Sequence, residues 1–96
     1  MTKYEIMFIV KATLDETALN NITKEVQKII TDNKSKVIEF KDMGRKKLAY
    51  PINKEVSGFY YLMNVEATHD FITEFDRKLR INENILRHLI LKKESE

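Results

Sequence analysis

The sequence contains no cysteine, no tryptophan, one proline and two glycines among its 96 residues. The missing cysteine excludes disulfides, thiolate metal sites and cysteine nucleophiles together, and it fits a reducing compartment. Two isolated histidines, His69 and His88, do not make a metal site, so neither a metal nor a cofactor is expected. The longest apolar run near the start, Ile6 to Val10, is too short for a signal-peptide core or a membrane span. The chain therefore reads as soluble and cytoplasmic, with no membrane partner. Low-complexity tracts are also lacking, and 43% hydrophobic residues suffice for a packed core. Residues 1–96 are expected to form a single domain.

The chain is not strongly charged as a whole, at a formal +2, but its charge is unevenly spread. Residues 41–54 hold Lys41, Arg45, Lys46, Lys47 and Lys54 against Asp42 alone. Residues 77–93 hold Arg77, Lys78, Arg80, Arg87, Lys92 and Lys93 against Glu83 alone, whereas 55–76 has five acids and no base. Two concentrated basic segments suggest a polyanionic partner.

Tyr4, Ile6, Phe8 and Val10 alternate with their neighbours and predict a strand. Thr13 and Glu16 have capping-box spacing, and Leu19, Ile22, Val26, Ile29 and Ile30 recur at helical intervals, so a helix is expected up to Asn33. Lys36 to Met43 and Lys46 to Ile52 read as one strand interrupted by a bulge at Gly44, and Pro51 suits a sheet edge. After a turn-like stretch, 53–58, the clearest strand is Phe59 to Glu66. Thr68 caps a second helix whose inner face is Phe71 or Ile72, Phe75 and Leu79, and Ile85 to Lys92 is the last strand. The order β-α-β-β-α-β predicts an α+β, ferredoxin-like fold: a four-stranded antiparallel sheet with both helices on one face.

One sheet face is left without helices in that arrangement. Burying Asn64 and Glu66 is costly, so Phe59, Tyr61, Met63 and Val65 point to the core. The last strand alternates less clearly, and Arg87 favours placing Ile85, Arg87, Leu89 and Leu91 outward. The open face then carries Met7, Ile9, Tyr60, Leu62, Leu89 and Leu91, an apolar set that suits a protein partner. Sheet spacing of about 4.8 Å separates the two edge strands by roughly 14 Å, so the two basic clusters need not form one patch.

Catalytic patterns are absent from the sequence: there is no phosphate-cradling glycine loop, and neither histidine stands at triad spacing. No catalytic residue and no small-molecule substrate are assigned. Acylphosphatases share the element order but need an arginine-containing loop after the first strand, where Lys11 to Asp15 has neither arginine nor glycine. Ser57-Gly58-Phe59-Tyr60-Tyr61 is superficially similar to an RNA-recognition motif. It lacks the basic residue, and its Phe59 and Tyr61 point inward by parity.

The most specific stretch is Gly44-Arg45-Lys46-Lys47-Leu48-Ala49-Tyr50-Pro51-Ile52. Adjacent cations on an edge strand guard against aggregation, and they equally suit contacts to RNA phosphates. A self-associating, protein-only interaction module of the same fold is the alternative function. This stretch, with Tyr4-Glu5-Ile6-Met7 and Asn84-Ile85-Leu86-Arg87-His88-Leu89, closely resembles the bacterial small-subunit ribosomal protein six family. The resemblance implies a ferredoxin-like fold, no enzymatic activity, and a place on the small ribosomal subunit. It implies binding to the central domain of small-subunit ribosomal RNA together with small-subunit ribosomal protein eighteen. Carried onto this sequence, it points to Arg45, Lys46, Lys47 and Arg87 as RNA or partner contacts. Thr2 and Lys3 stand where the family often has arginines, so an amino-terminal RNA contact rests on Lys3. Met43 takes a position that is often tryptophan, and a chain ending at Glu96 is not expected to bind a partner through a long tail.

Overall fold

Period-two alternation builds the first strand, and the sheet assembles on both sides of it. The computed structural model describes residues 2–32, 35–52 and 54–93. Its elements are β1 (Thr2–Lys11), α1 (Glu16–Asp32), β2 (Lys36–Ile52), β3 (Glu55–Ala67), α2 (His69–Ile81) and β4 (Ile85–Lys92). The strands pair antiparallel in the order β2-β3-β1-β4, which is the expected ferredoxin-like arrangement with β2 and β4 at the edges.

The core lies between one sheet face and the two helices. Tyr4, Ile6, Phe8 and Val10 of β1 meet Tyr61, Met63, Val65 and Ala67 of β3 there. Phe8 lies opposite Tyr61 in the ladder, and their rings stack with centroids 5.3 Å apart. Such a pair adds about 0.5–1.5 kcal/mol beyond the area it buries. Ile22, Val26 and Ile30 close the core from α1, four residues apart and hence on one helix face, while Ile72, Phe75 and Leu79 close it from α2. Ile72 rather than Phe71 is the buried first member of the α2 face.

Two helix starts show what capping requires. The Thr68 hydroxyl accepts from the Phe71 N–H at 3.2 Å, as expected. At α1 the Asp15 carboxylate accepts from the Ala18 N–H at 2.8 Å, so the cap is Asp15 and not Thr13. A cap must immediately precede the first helical residue, and Thr13 lies two positions too early. The expected helix end at Asn33 lies outside the described residues.

Departures from regular pairing shape the sheet. Gly44 forms the expected bulge with φ +83°, and its N–H donates to the Asp42 carboxylate at 2.8 Å. β3 begins at Glu55 instead of Phe59, because residues of turn-like composition there pair with the far arm of β2, Ser57 opposite Lys47 and Glu55 opposite Ile52. A further register shift sets Arg87 opposite Ile9 but Ile85 opposite Val10, leaving Leu86 as the extra residue. Ile85 is consequently buried in the core, against the outward placement expected of it, while Arg87, Leu89 and Leu91 remain outward.

Candidate nucleic-acid and partner interface

Cross-strand partners share a sheet face, so the register places the outward side chains in rows. Tyr60, Ile9 and Arg87 form one row across β3, β1 and β4. Leu62, Met7 and Leu89 form the next, with Lys41 of β2 beyond Leu62. Asn64, Glu5 and Leu91 come third, and Glu66 with Lys3 ends the face. Its apolar half thus grades into a mixed-charge half. Lys3 lies six residues along β1 from Ile9, about 20 Å at strand rise, so it is not brought together with Arg87.

β2 has 17 residues against the eight of β4, and its surplus does not stay in the plane of the sheet. The Tyr50 ring, carried by the strand at one edge, lies 5.4 Å from the guanidinium carbon of Arg87 on the opposite edge strand. The far arm of the β2–β3 hairpin therefore crosses the open face. Leu48 on that arm and Ile9 beneath the open face are both buried although neither belongs to the core under the helices. Ile9, expected to be accessible to a partner, is only 7% exposed and is already covered by this chain. Met7, Tyr60 and Leu62 are half-buried, while Leu89 and Leu91 are 48% exposed.

Gly58 makes room for this crossing. A Cβ there would lie 2.5 Å from Ile9 Cγ2 and 3.1 Å from the Val10 carbonyl oxygen, with Leu86 Cδ1 at 3.8 Å. Only a residue without a side chain fits between the hairpin arm and β1.

Arg45, Lys46 and Lys47 are all exposed, but strand alternation divides them. Lys46 Nζ lies 5.7 Å from the centre of the Tyr60 ring, on the open face. Arg45 Nε donates to the Ser57 hydroxyl at 3.3 Å, and Lys47 faces Ser57 across the ladder. Half of the second basic segment is paired with acids. Arg77 is paired with Glu74, Arg80 with Asp76, and Lys93 with Glu5 at 3.3 Å. The Arg77 hydrogen bond holds the Glu74 carboxyl below its ordinary pKa. Asp76 also meets His88 Nε2 at 2.5 Å, tying α2 to β4. In the first segment Lys41 pairs with Glu39 at 3.7 Å. Among the described residues, no carboxylate pairs with Arg45, Lys46, Lys47 or Arg87. Tyr50 is the contact that sequence reasoning missed, and the length of β2 was its signal.

A family model described as Ribosomal protein S6 matches residues 3–92, from the first strand to the last. The chain belongs to the ribosomal protein S6 family. Small ribosomal subunit protein bS6 of Shouchella clausii is 42% identical over 94 residues, covering 98% of this chain and 99% of that protein. The crystal structure of 30S ribosomal protein S6 from Thermotoga maritima matches with a TM-score of 0.90 at 28% identity, covering 96% of this chain and 87% of that one. The S6 family is one of structural ribosomal proteins, and the resemblance carried by the Gly44–Ile52 segment is borne out. In this S6-family chain that segment is the arm that crosses the sheet. Among the described residues no cluster of three or more His, Cys, Asp or Glu is placed to hold a metal, and no helix is long and apolar enough to cross a membrane.

Proposed function

We propose that this chain is a structural component of the small ribosomal subunit, working in the cytoplasm as one domain, without a catalysed reaction or a small-molecule substrate. It binds the central domain of small-subunit ribosomal RNA together with small-subunit ribosomal protein eighteen. The observation that carries this reading is the set of cations that pair with no carboxylate among the described residues, Arg45, Lys46, Lys47 and Arg87, beside an apolar strip of half-buried Met7 and Leu62 and exposed Leu89 and Leu91. Free cations suit phosphates, which position a protein on folded RNA without reading its sequence. The apolar strip suits the protein partner, because burying it repays about 25 cal/mol per Å² of apolar area.

The isolated chain binds RNA weakly and loses it with added salt, and the partner makes binding tight. Replacing Lys46 and Lys47 by alanine lowers the slope of log affinity against log salt by about one per lost phosphate contact. An unchanged slope assigns both lysines to edge protection or to protein contact. Co-purification at low salt tests the partners, with small-subunit RNA and a small basic ribosomal protein expected. Concentration-dependent sedimentation with no RNA enriched favours the self-associating module instead.

A further inference from the structure

Among the described residues, most cations that reach a side-chain partner reach a carboxylate. Lys41, Arg77, Arg80 and Lys93 do so, and their charge is spent inside the molecule. Lys46 and Arg87 are held differently: Lys46 over the Tyr60 ring and Arg87 against the Tyr50 ring. An aromatic face orients a cation through its quadrupole while leaving the charge whole and the N–H edge of the guanidinium free. Order without neutralisation is what an anion-receiving group needs.

The two cations start on opposite edge strands, yet Tyr60, Ile9 and Arg87 stand in a single row. Two strand spacings put Tyr60 and Arg87 about 10 Å apart. We propose that Lys46 and Arg87, each held by a tyrosine ring at one end of the open face, form a single two-point phosphate-binding strip, with Tyr50 and Tyr60 as its positioning residues. This rests on the RNA-binding reading and assigns to the same RNA two clusters that a flat sheet would keep apart. It also divides the open face: the Tyr60 row receives RNA, and the Leu62 and Leu89 row is left to protein. A protein placed over the Tyr60 row would have to desolvate two cations that pair with no carboxylate among the described residues, whereas a phosphate satisfies both.

The test uses the full chain with protein eighteen and a central-domain fragment of small-subunit ribosomal RNA, titrated at several salt concentrations. Arg87→Ala lowers the salt slope by about one. Tyr50→Leu keeps every charge and weakens binding about two- to fivefold, the size expected of an exposed cation–π contact, with the slope unchanged. Tyr50→Phe restores wild-type affinity. Added to Arg87→Ala, Tyr50→Leu costs nothing further, because its effect passes through Arg87. Wild-type affinity for Tyr50→Leu, or multiplicative losses in the double variant, overturns the strip while leaving RNA binding intact. Arg87→Ala with an unchanged slope but weaker capture of protein eighteen also overturns it, by moving Arg87 to the protein interface. Salt-independent or absent RNA binding by the wild-type pair instead rejects the RNA reading itself.

Discussion

Gly58→Ala concentrates the physics of the crossing hairpin in one methyl group. The new Cβ would meet Ile9 Cγ2 at 2.5 Å, a separation that real Cβ atoms do not tolerate, and the Val10 carbonyl oxygen at 3.1 Å. Ile9 cannot readily turn aside, because a β-branched side chain is stiff at χ1 and this one is buried. Overpacking of this kind costs about 1–3 kcal/mol. Restricting the unfolded chain offsets about 0.4–1 kcal/mol of it. A net loss of roughly 1–2 kcal/mol is expected, a fall in Tm on the order of 10 °C for a chain of this length. Urea unfolding followed by circular dichroism measures it as a lower midpoint at constant m. The decisive variant is Gly58→Ala with Ile9→Leu, which removes the clashing γ-methyl while keeping side-chain volume. The pair should couple by about 1 kcal/mol in a double-mutant cycle. Strict additivity, or a Gly58→Ala protein as stable as the wild type, would refute the account of why glycine stands there.

Gly44→Ala tests a different glycine: nothing lies within 4 Å of its would-be Cβ, so only φ +83° opposes the change, and about 1–2 kcal/mol of stability is lost. Gly44→Asn loses less by the same chemical unfolding assay, since asparagine tolerates that backbone region. Thr68→Ala removes the α2 cap and costs about 1 kcal/mol, read from the shift of the unfolding midpoint. Burial, reinforced by the Asp42 carboxylate, raises the Tyr61 phenol above its ordinary value of 10.0. The unfolded state therefore loses this proton first as pH rises. The stability it contributes is complete below pH 10 and is lost through the folded-state pKa above it. Tyr61→Phe flattens that alkaline limb in a pH series of unfolding midpoints.

Local alternation was enough to read the order of the elements, the inward set of β1 and β3, and the Thr68 cap. Each of these depends on neighbours within a few residues. The reading failed where distant or irregular geometry decides. Ile85 turned inward because one extra residue, Leu86, shifts the β4 register, and a strict period of two has no place for such a shift. Asp15 displaced Thr13 as a cap because the first helical residue is fixed by the folded turn, not by the motif spacing. Counting charge by segment cut between Asp76 and Arg77, and so separated Glu74 and Asp76 from the arginines one helical turn onward that they neutralise. At the candidate site, the Gly44–Ile52 stretch was correctly singled out, but a flat-sheet picture kept it away from Arg87. Only the excess length of β2 hinted that its arm would leave the plane.

The pairing of β1 with β4 also bears on the birth of the protein. Tyr4 lies opposite Lys92, and the Lys93 N–H donates to the Lys3 carbonyl at 2.9 Å. A central strand made first thus waits for the strand made last. During synthesis, until residues 85–92 have emerged, β1 has β3 on one side and an open ladder of N–H and C=O groups on the other, with Ile6, Phe8 and Val10 along it. A nascent or truncated chain that ends before Ile85 presents that unpaired edge to its surroundings, where it invites the aggregation that the finished sheet prevents.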